Sequence, residues 1–305
     1  MGRPGYLALY ESGELEERAD HAFALLRSCT VCPRECRVDR TRDGRGFCGT
    51  GLLPVIASSG PHFGEEPPLV GLRGSGTIFV THCNLACEFC QNYAISQCGD
   101  GREVSVETLA SMMIQLQRQG CHNINIVTPS HIVPQLIRSI GIAVRSGLEI
   151  PLVYNSGGYD AVETLRLLDG VVDIYMPDAK YGDDRTASAL SHAPQYVRIM
   201  KAAIREMHRQ VGDLVIEDGV AVRGLIVRHL VLPDYRAGSD GILKWIADEI
   251  STDTYVNIMT QYHPAWHTAG MCGVFPDASL CRCVTPGEFR EVILNAGKYG
   301  LHRGF

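Results

Sequence analysis

Three cysteines, Cys83, Cys87 and Cys90, form a CxxxCxxC triplet directly after the apolar run Thr77–Val80. Three thiolates on one loop can bind three irons of a [4Fe–4S] cluster and leave the fourth iron without a protein ligand. An open iron can bind a substrate or cofactor, so the triplet predicts catalysis at a cluster. The alternative is a structural zinc site with His82 or Cys98 as fourth ligand. The position after a strand-like run favours the cluster, because barrel enzymes place their chemistry there.

A second group of cysteines lies nearer the N-terminus. Its members are Cys29, Cys32, Cys36 and Cys48. Glycine and proline between them allow the tight turns that bring thiolates together. The spacing predicts a second metal site, either an iron–sulfur cluster or zinc, and a reduced loop without metal is the alternative. Near the C-terminus, Cys272, Cys281 and Cys283 lack clear turn spacing, so a further site and free thiols both stay open.

Composition narrows the class of protein. The chain has 305 residues, 45% of them hydrophobic, which fits one main domain with an N-terminal appendage. A net charge of −6 without a long basic run argues against nucleic acid and membrane surfaces as partners. We see neither a signal peptide nor a run of about 18 apolar residues, so we expect a cytoplasmic protein. In that compartment the twelve cysteines are better explained as metal ligands than as disulfides.

Strand patterns and helix patterns alternate along the chain, and these elements must position the cysteines. Six apolar, β-branched runs predict buried parallel strands, which are Thr77–Thr81, Asn123–Thr128, Pro151–Asn155, Val171–Met176, Gly224–Leu230 and Tyr255–Thr260. Helical periodicity follows Ser105 and Ile132, and Thr285 with Glu288 predicts a capping box. Asp218-Gly219 predicts a hairpin before the fifth strand.

Six βα units are too few for a closed eightfold barrel. We therefore predict an α/β fold, an open (β/α)6 partial TIM barrel over residues 61–305. Residues 1–60 form a small Cys-rich N-terminal module. Parallel strands bring their following loops to one face, where polar residues become site candidates. Those after the strands include Thr128–His131, Asn155–Tyr159, Asp178–Lys180, Arg228–His229 and Gln261–His263.

The triplet, with an aromatic residue at Phe89, resembles the signature of the radical S-adenosylmethionine (SAM) superfamily. Further runs resemble, over essentially the whole chain, the uncharacterised radical SAM proteins similar to pyruvate formate-lyase activating enzyme. Those runs are Gly64–Pro68, Cys90–Tyr93, Val127–His131, Val153–Tyr159 and Arg228–Pro233. Among them, Glu65 and Glu66 lie in a Pro-rich lead-in, where plain solvation is the alternative to a role.

The resemblance assigns site residues by position. It implies that Cys83, Cys87 and Cys90 bind the cluster and that Phe89 packs near the adenine of SAM. The loop with Thr128 and Ser130 stands where many members carry Gly-Gly-Glu for the SAM amino group, so these two residues or backbone carbonyls must substitute. Contacts to the ribose or carboxylate of SAM are implied for Asn155 and Ser156. Asp178 and Lys180 resemble an Asp-x-Lys that contributes to the SAM site in glycyl-radical activases.

The same resemblance implies the reaction. Reductive cleavage of SAM at the [4Fe–4S] cluster would give a 5′-deoxyadenosyl radical that abstracts a hydrogen atom. The cluster must have a low potential, so a ferredoxin or flavodoxin donor is implied. The target is either a glycine of a separate glycyl-radical enzyme or a small molecule or peptide. A non-enzymatic iron–sulfur or zinc protein is the alternative of another class, although it would not need polar residues at so many strand ends.

Overall fold

Strands and helices alternate along the chain in a computed structural model that describes residues 2–270 and 278–305. The strands there are Val55–His62 (β1), Ser75–Val80 (β2), Arg102–Glu103 (β3), Ile124–Val127 (β4), Leu152–Ser156 (β5), Ile174–Pro177 (β6), Val215–Glu217 (β7), Val220–Leu230 (β8) and Tyr255–Met259 (β9). The helices there are Gly5–Glu11 (α1), Glu14–Ala24 (α2), Pro67–Val70 (α3), Tyr93–Ser96 (α4), Val106–Arg118 (α5), Val133–Arg145 (α6), Val162–Arg166 (α7), Asp184–Ser191 (α8), Tyr196–Val211 (α9), Ser239–Glu249 (α10), His267–Gly270 (α11) and Pro286–Lys298 (α12).

The sheet is mostly parallel and open. Strands β2, β4, β5, β6, β8 and β9 are parallel neighbours in that order, and they correspond to the six predicted strands. The predicted hairpin is formed by β7 and β8. Strand β1, which we did not predict, pairs antiparallel with β2 and carries β3 on its other side. No ladder joins β9 to β2 within the described ranges, so the predicted open partial barrel is confirmed.

Alternation of side chains along the strands builds two apolar cores. In β5, Tyr154 faces the outer core between the sheet and the helices, whereas Val153 faces the inside of the barrel. The inner core consists of Leu69, Val153, Ile174, Met176, Leu214, Ala221 and Ile226. Leu69 lies on α3, and its carbonyl accepts a hydrogen bond from Asn123 just before β4 (2.8 Å). Helix α3 therefore closes the amino end of the barrel and leaves the carboxyl end for polar groups.

The helix starts agree with the sequence patterns. The Ser105 hydroxyl caps α5 by accepting from the Thr108 amide (3.2 Å). Pro134 lies in the first turn of α6, where its missing amide hydrogen costs no helical bond. Thr285 and Glu288 form the predicted capping box of α12. No helix in residues 2–270 or 278–305 has the length and apolar character needed to cross a membrane.

The N-terminal residues are fastened to the barrel. Helix α2 packs against α6, and the Tyr6 hydroxyl donates to the Ile150 carbonyl (2.8 Å). Beyond α2, the chain that carries the N-terminal cysteines lies against helices α6 and α7, which follow the parallel strands β4 and β5. Thr164 donates to the Val31 carbonyl (2.8 Å), and the Gln135 amide donates to the Leu52 carbonyl (2.6 Å). Strand β1 runs across position 60, so the Cys-rich module and the sheet are joined within one strand.

His229 shows how strand direction separates neighbouring polar residues. It points away from the inside of the barrel and is fully buried. Its Nδ1–H donates to the Ala179 carbonyl (2.6 Å), and its Nε2 accepts from the Ser239 hydroxyl (2.8 Å). Burial disfavours the charged ring and lowers the pKa of His229 to about 4. His229 therefore stabilises the fold in its neutral form.

This burial predicts a pH dependence of stability. The folded pKa lies below the unfolded value of about 6.5, so stability is full above about pH 6.5 and falls as the pH drops towards 4. Between pH 6 and pH 5, the free energy of urea unfolding should fall by about 1 kcal/mol more in the wild type than in His229→Gln. His302→Gln, which changes an exposed histidine, controls for the substitution. Equal pH slopes for wild type and His229→Gln would contradict this account.

Candidate active site at the carboxyl end of the sheet

The cysteine triplet lies on the loop that follows β2. Two contacts hold this loop against the loops and helices that follow β5 and β6. The Glu88 amide donates to the Leu190 carbonyl (2.9 Å), and the Asn84 side chain donates to the Tyr159 carbonyl (2.6 Å). The loop is therefore held at the carboxyl end of the parallel strands, where the sequence placed it.

Each triplet sulfur has a polar hydrogen-bond partner. Hydrogen bonds to cluster sulfurs tune the reduction potential, so such partners suit cluster ligands. The three contacts are Leu85 N–H to Cys83 Sγ (3.3 Å), the Ser191 hydroxyl to Cys87 Sγ (2.9 Å) and the Ser96 hydroxyl with Cys90 Sγ (3.1 Å).

Without a metal, the thiols are kept protonated by their surroundings. Burial raises the pKa of Cys87 to about 11, although the nearby Lys180 ammonium opposes the rise. Burial also raises the pKa of Cys83 well above the usual range, and Cys87 beside it adds to the effect. A metal binds thiolates, so loading this site would release protons.

The donor set fits a cluster with an open iron. One loop offers three sulfurs, and two of its cysteines, Cys87 and Cys90, line a cavity that could admit a further ligand. Within residues 2–270 and 278–305, no three His, Cys, Asp or Glu side chains converge at the spacing of a single metal ion. Thiols of a [4Fe–4S] cluster each bind a different iron, so a cluster does not require that spacing.

The opposite wall of this cavity carries a buried charge cluster. Asp178 follows β6 and accepts from Arg228 Nε of β8 (2.9 Å) and from the Lys180 ammonium (2.5 Å). Burial alone would raise the pKa of Asp178, but the Arg228 and Lys180 charges outweigh it and hold that pKa below its usual value. Asp178 likewise outweighs burial at Lys180 and keeps the pKa of that ammonium high. Both partners are therefore charged at neutral pH.

Arg228 extends this cluster into the barrel. Its Nη2 donates to Asn155 Oδ1 (2.8 Å), and its Nη1 lies 3.9 Å from Glu66 Oε1. Glu66 also accepts from Asn257 of β9 (2.9 Å) and is buried, as is the side chain of Glu65. Burial raises the pKa of Glu65, although Arg228 opposes the rise. Solvation of these two glutamates, the simpler alternative, is therefore wrong.

The structure separates the other predicted SAM ligands into two groups. Asn155 faces the barrel interior with Arg228, whereas Ser156 faces the other way and donates to Asp160 (2.6 Å). The Ser130 hydroxyl is buried and faces the same Asp160 carboxylate. Thr128 ends β4 with a positive φ of 63°, which turns the chain sharply at the strand end. The structure thus brings Asn155, but neither serine, to the charge cluster.

A cavity of about 200 Å³ connects these features. Cys87 and Cys90 of the triplet form one side of it, and the charge cluster forms another. Its lining residues are Cys87, Phe89, Cys90, Gln91, Asn92, Asp178, Lys180, Arg228, Leu230, Met259 and Gln261. Phe89 is buried and packs edge-on against Tyr262 with 5.6 Å between ring centroids, so it provides a fixed aromatic surface.

The four N-terminal cysteines border a second, much smaller space. Burial raises the pKa of Cys32 to about 12, and the other three thiols contribute because they lie nearby. The Phe47 amide donates to Cys36 Sγ (3.3 Å). A Cβ on Gly46 would come within 2.7 Å of Cys36 Sγ, so that approach requires a glycine. The fully buried Arg40 lies 3.9 Å from Cys29 Sγ and donates to the His131 carbonyl (2.7 Å).

Several site residues were not found from the sequence. Arg228 was found as a polar residue at a strand end, but its ion pairs with Asp178 and Glu66 were not predicted, and Asn257 of β9 was not identified at all. Their signal is an amide or guanidinium within an otherwise apolar parallel strand, where aliphatic residues are usual. Of the C-terminal cysteines, Cys272 lies outside the described residues, Cys281 ends a short 3-10 helix and Cys283 is exposed.

Removing the Asp178 charge should destabilise the fold strongly. Asp178→Asn leaves Lys180 and Arg228 buried without a carboxylate between them, which should lower the free energy of unfolding by about 3–5 kcal/mol. Asp248→Asn makes the same change in an exposed pair with Lys244 and should cost less than about 1 kcal/mol. Urea denaturation compares the two variants, and similar losses for both would contradict a buried charge cluster.

The chain is similar to several known proteins. The chain is 30% identical over 294 residues to an uncharacterised protein of Methanocaldococcus jannaschii, covering 94% of this chain and 79% of that protein. A second uncharacterised protein of the same organism is 25% identical over 264 residues, covering 77% and 70%. Among solved structures, a maturase of the [FeFe]-hydrogenase aligns with a TM-score of 0.51 and 13% identity. The alignment covers 74% of this chain but only about half (49%) of the maturase, so it shows the fold alone.

The family is established by the sequence. The family model described as the radical SAM superfamily matches residues 77–234, which begin at β2 and contain the triplet, β4 to β6 and β8. Membership implies a [4Fe–4S] cluster, SAM and the need for a reductant. The resemblance to activase-like proteins in particular stays a prediction. The chain belongs to the radical SAM superfamily.

Proposed function

We propose that this protein removes a hydrogen atom from a polar substrate that enters the cavity between the triplet and the charge cluster. The observation that carries the proposal is that Cys87 and Cys90 line the same cavity as Asp178, Lys180 and Arg228. When bound, the cluster and SAM supply a 5′-deoxyadenosyl radical for hydrogen abstraction. The chain itself binds and orients the substrate, and it excludes water from the cavity.

The residues divide these tasks by position. Cys83, Cys87 and Cys90 would hold the cluster, and Phe89 would offer an apolar face to the adenine. Lys180, one arm of the charge cluster, would meet the carboxylate of SAM. Asp178 and Asn155 would position Lys180 and Arg228 through the bonds described above. We retain Thr128 as a SAM contact, through its side chain or its backbone, because its positive φ turns the chain sharply directly after β4.

Ser130 and Ser156 fit a supporting task better than direct contact. Both face the buried Asp160, whose carboxylate also accepts from the Tyr154 hydroxyl (2.8 Å). This arrangement would fix the loops after β4 and β5 and thereby the neighbouring Thr128 and Asn155.

The module with Cys29, Cys32, Cys36 and Cys48 would hold a second centre. Four thiols close the coordination, so such a centre would transfer electrons or support the fold rather than bind substrate. An iron–sulfur cluster and zinc remain alternatives. Iron and zinc analysis of the purified protein distinguishes them.

Cleavage of SAM tests the proposal. Anaerobically reconstituted protein with dithionite should convert SAM to 5′-deoxyadenosine and methionine, measured by liquid chromatography. Cys87→Ala removes one cluster ligand and should abolish the product. Cys98→Ser changes an exposed cysteine outside the triplet and should retain it. Absence of 5′-deoxyadenosine in the wild type would refute the proposal, and loss in Cys98→Ser would favour a site with four protein ligands.

The resemblance to activases offers a second target, a backbone glycine of a separate glycyl-radical enzyme. Its test is direct. Incubation of the active protein with SAM and a glycyl-radical enzyme should give a glycyl doublet in electron paramagnetic resonance if that target is right, and Cys87→Ala should give none. Without a doublet, the cavity substrate stands as the target.

A further inference from the structure

Charge is distributed unevenly around the N-terminal cysteines. Residues 27–48 contain six arginines against three carboxylates, a net charge of +3, whereas the whole chain carries −6. Arg37 and Arg42 are exposed over 69% and 87% of their side chains, and each forms a surface ion pair, with Glu35 and Asp39. Arg27 and Arg45 are exposed as well, and Arg45 pairs with Glu103 (3.1 Å). We call these four arginines the basic face. It is a positive region on an acidic protein, which suits a negatively charged protein partner.

Apolar side chains accompany the basic face. Phe47 is 46% exposed, and Leu52 and Leu53 are 38% and 37% exposed. An exposed aromatic residue beside arginines is a typical composition for a protein interface. Phe47 also connects the surface to the thiols, because its amide donates to Cys36 Sγ and Cys48 follows it directly. A protein bound here would therefore lie next to the four thiols.

Arg34 connects this module to the catalytic triplet. Its guanidinium carbon lies 3.6 Å from the centroid of the Phe47 ring. Its Nε donates to the carbonyl of Asn84, the residue after Cys83 (2.9 Å). The charge of Arg34 also interacts with Cys32, Cys36 and Cys83, so it lies between the two sets of thiols. The exposed Phe47 and the half-buried triplet are thus joined by a short chain of contacts.

We propose that the basic face and Phe47 form the docking surface for an acidic flavoprotein of low potential, which delivers electrons to the triplet cluster. This rests on the proposed function. The step is a one-electron transfer: the reduced flavoprotein loses one electron, the oxidised [4Fe–4S] cluster gains it, and no bond forms or breaks.

Charge reversal tests the docking surface. The probe is a reduced acidic flavodoxin, and stopped-flow absorbance follows cluster reduction in the reconstituted protein at low salt. Arg37→Glu with Arg42→Glu should slow reduction by about 10-fold or more, because charges at an interface rim act on the association rate. Added salt should slow the wild type and should leave the double variant nearly unaffected.

A matched control reverses two positive charges on another part of the surface. Arg290→Glu with Lys298→Glu lies on α12, and this pair should keep the wild-type rate with flavodoxin. With dithionite, a small reductant that needs no docking surface, all proteins should form 5′-deoxyadenosine equally. Equal flavodoxin rates in both double variants would overturn the docking surface while leaving radical chemistry intact. Failure of dithionite itself would instead refute the proposed function.

Discussion

A carboxylate held between two cations inside the barrel is the interaction on which the rest of the site depends. Burying Asp178, Lys180 and Arg228 costs several kcal/mol for each charge, and their mutual contacts, with those of Arg228 to Asn155 and Glu66, offset that cost. These contacts require the chain after β6 to lie in register with β8, as the parallel bridge between Asp178 and Arg228 shows. The register of the two strands, the pairing of the charges and the shape of the cavity wall therefore cannot change independently of one another.

Much of the fold could be predicted because its determinants are local. The parallel strands are buried on both faces, so each reads as a continuous apolar run, and the caps at Ser105 and Thr285 follow from neighbouring residues. Strand β1 carries Ser58, Ser59, Gly60 and Pro61, a poor strand sequence by composition. It forms because β2 offers an edge, which is a tertiary effect that local patterns do not contain.

The site residues whose location follows from sequence spacing could be predicted. Those whose orientation or burial depends on distant partners could not. The triplet, Asp178 and Lys180 were located from short motifs, and Cys87 and Cys90 line the same cavity as Asp178 and Lys180 in the structure. Asn155 and Ser156 were treated alike, although neighbours along a strand must face opposite sides. The burial of Glu65 and Glu66 depends on Arg228 and Asn257, which lie far away in sequence, so composition suggested solvation instead.

The antiparallel pairing of β1 has a consequence for how the barrel can move. Because β1 occupies the edge of β2, β9 has no backbone partner there in the described part of the chain, and a seam runs down that side. Side chains rather than a ladder cross it, as in the contact between Asn257 and Glu66. The backbone hydrogen bonds of five parallel strand pairs resist separation elsewhere, so we expect opening motions of the barrel to occur mainly at the seam. The entrance can widen there without disturbing the strands that carry Asp178 and Arg228.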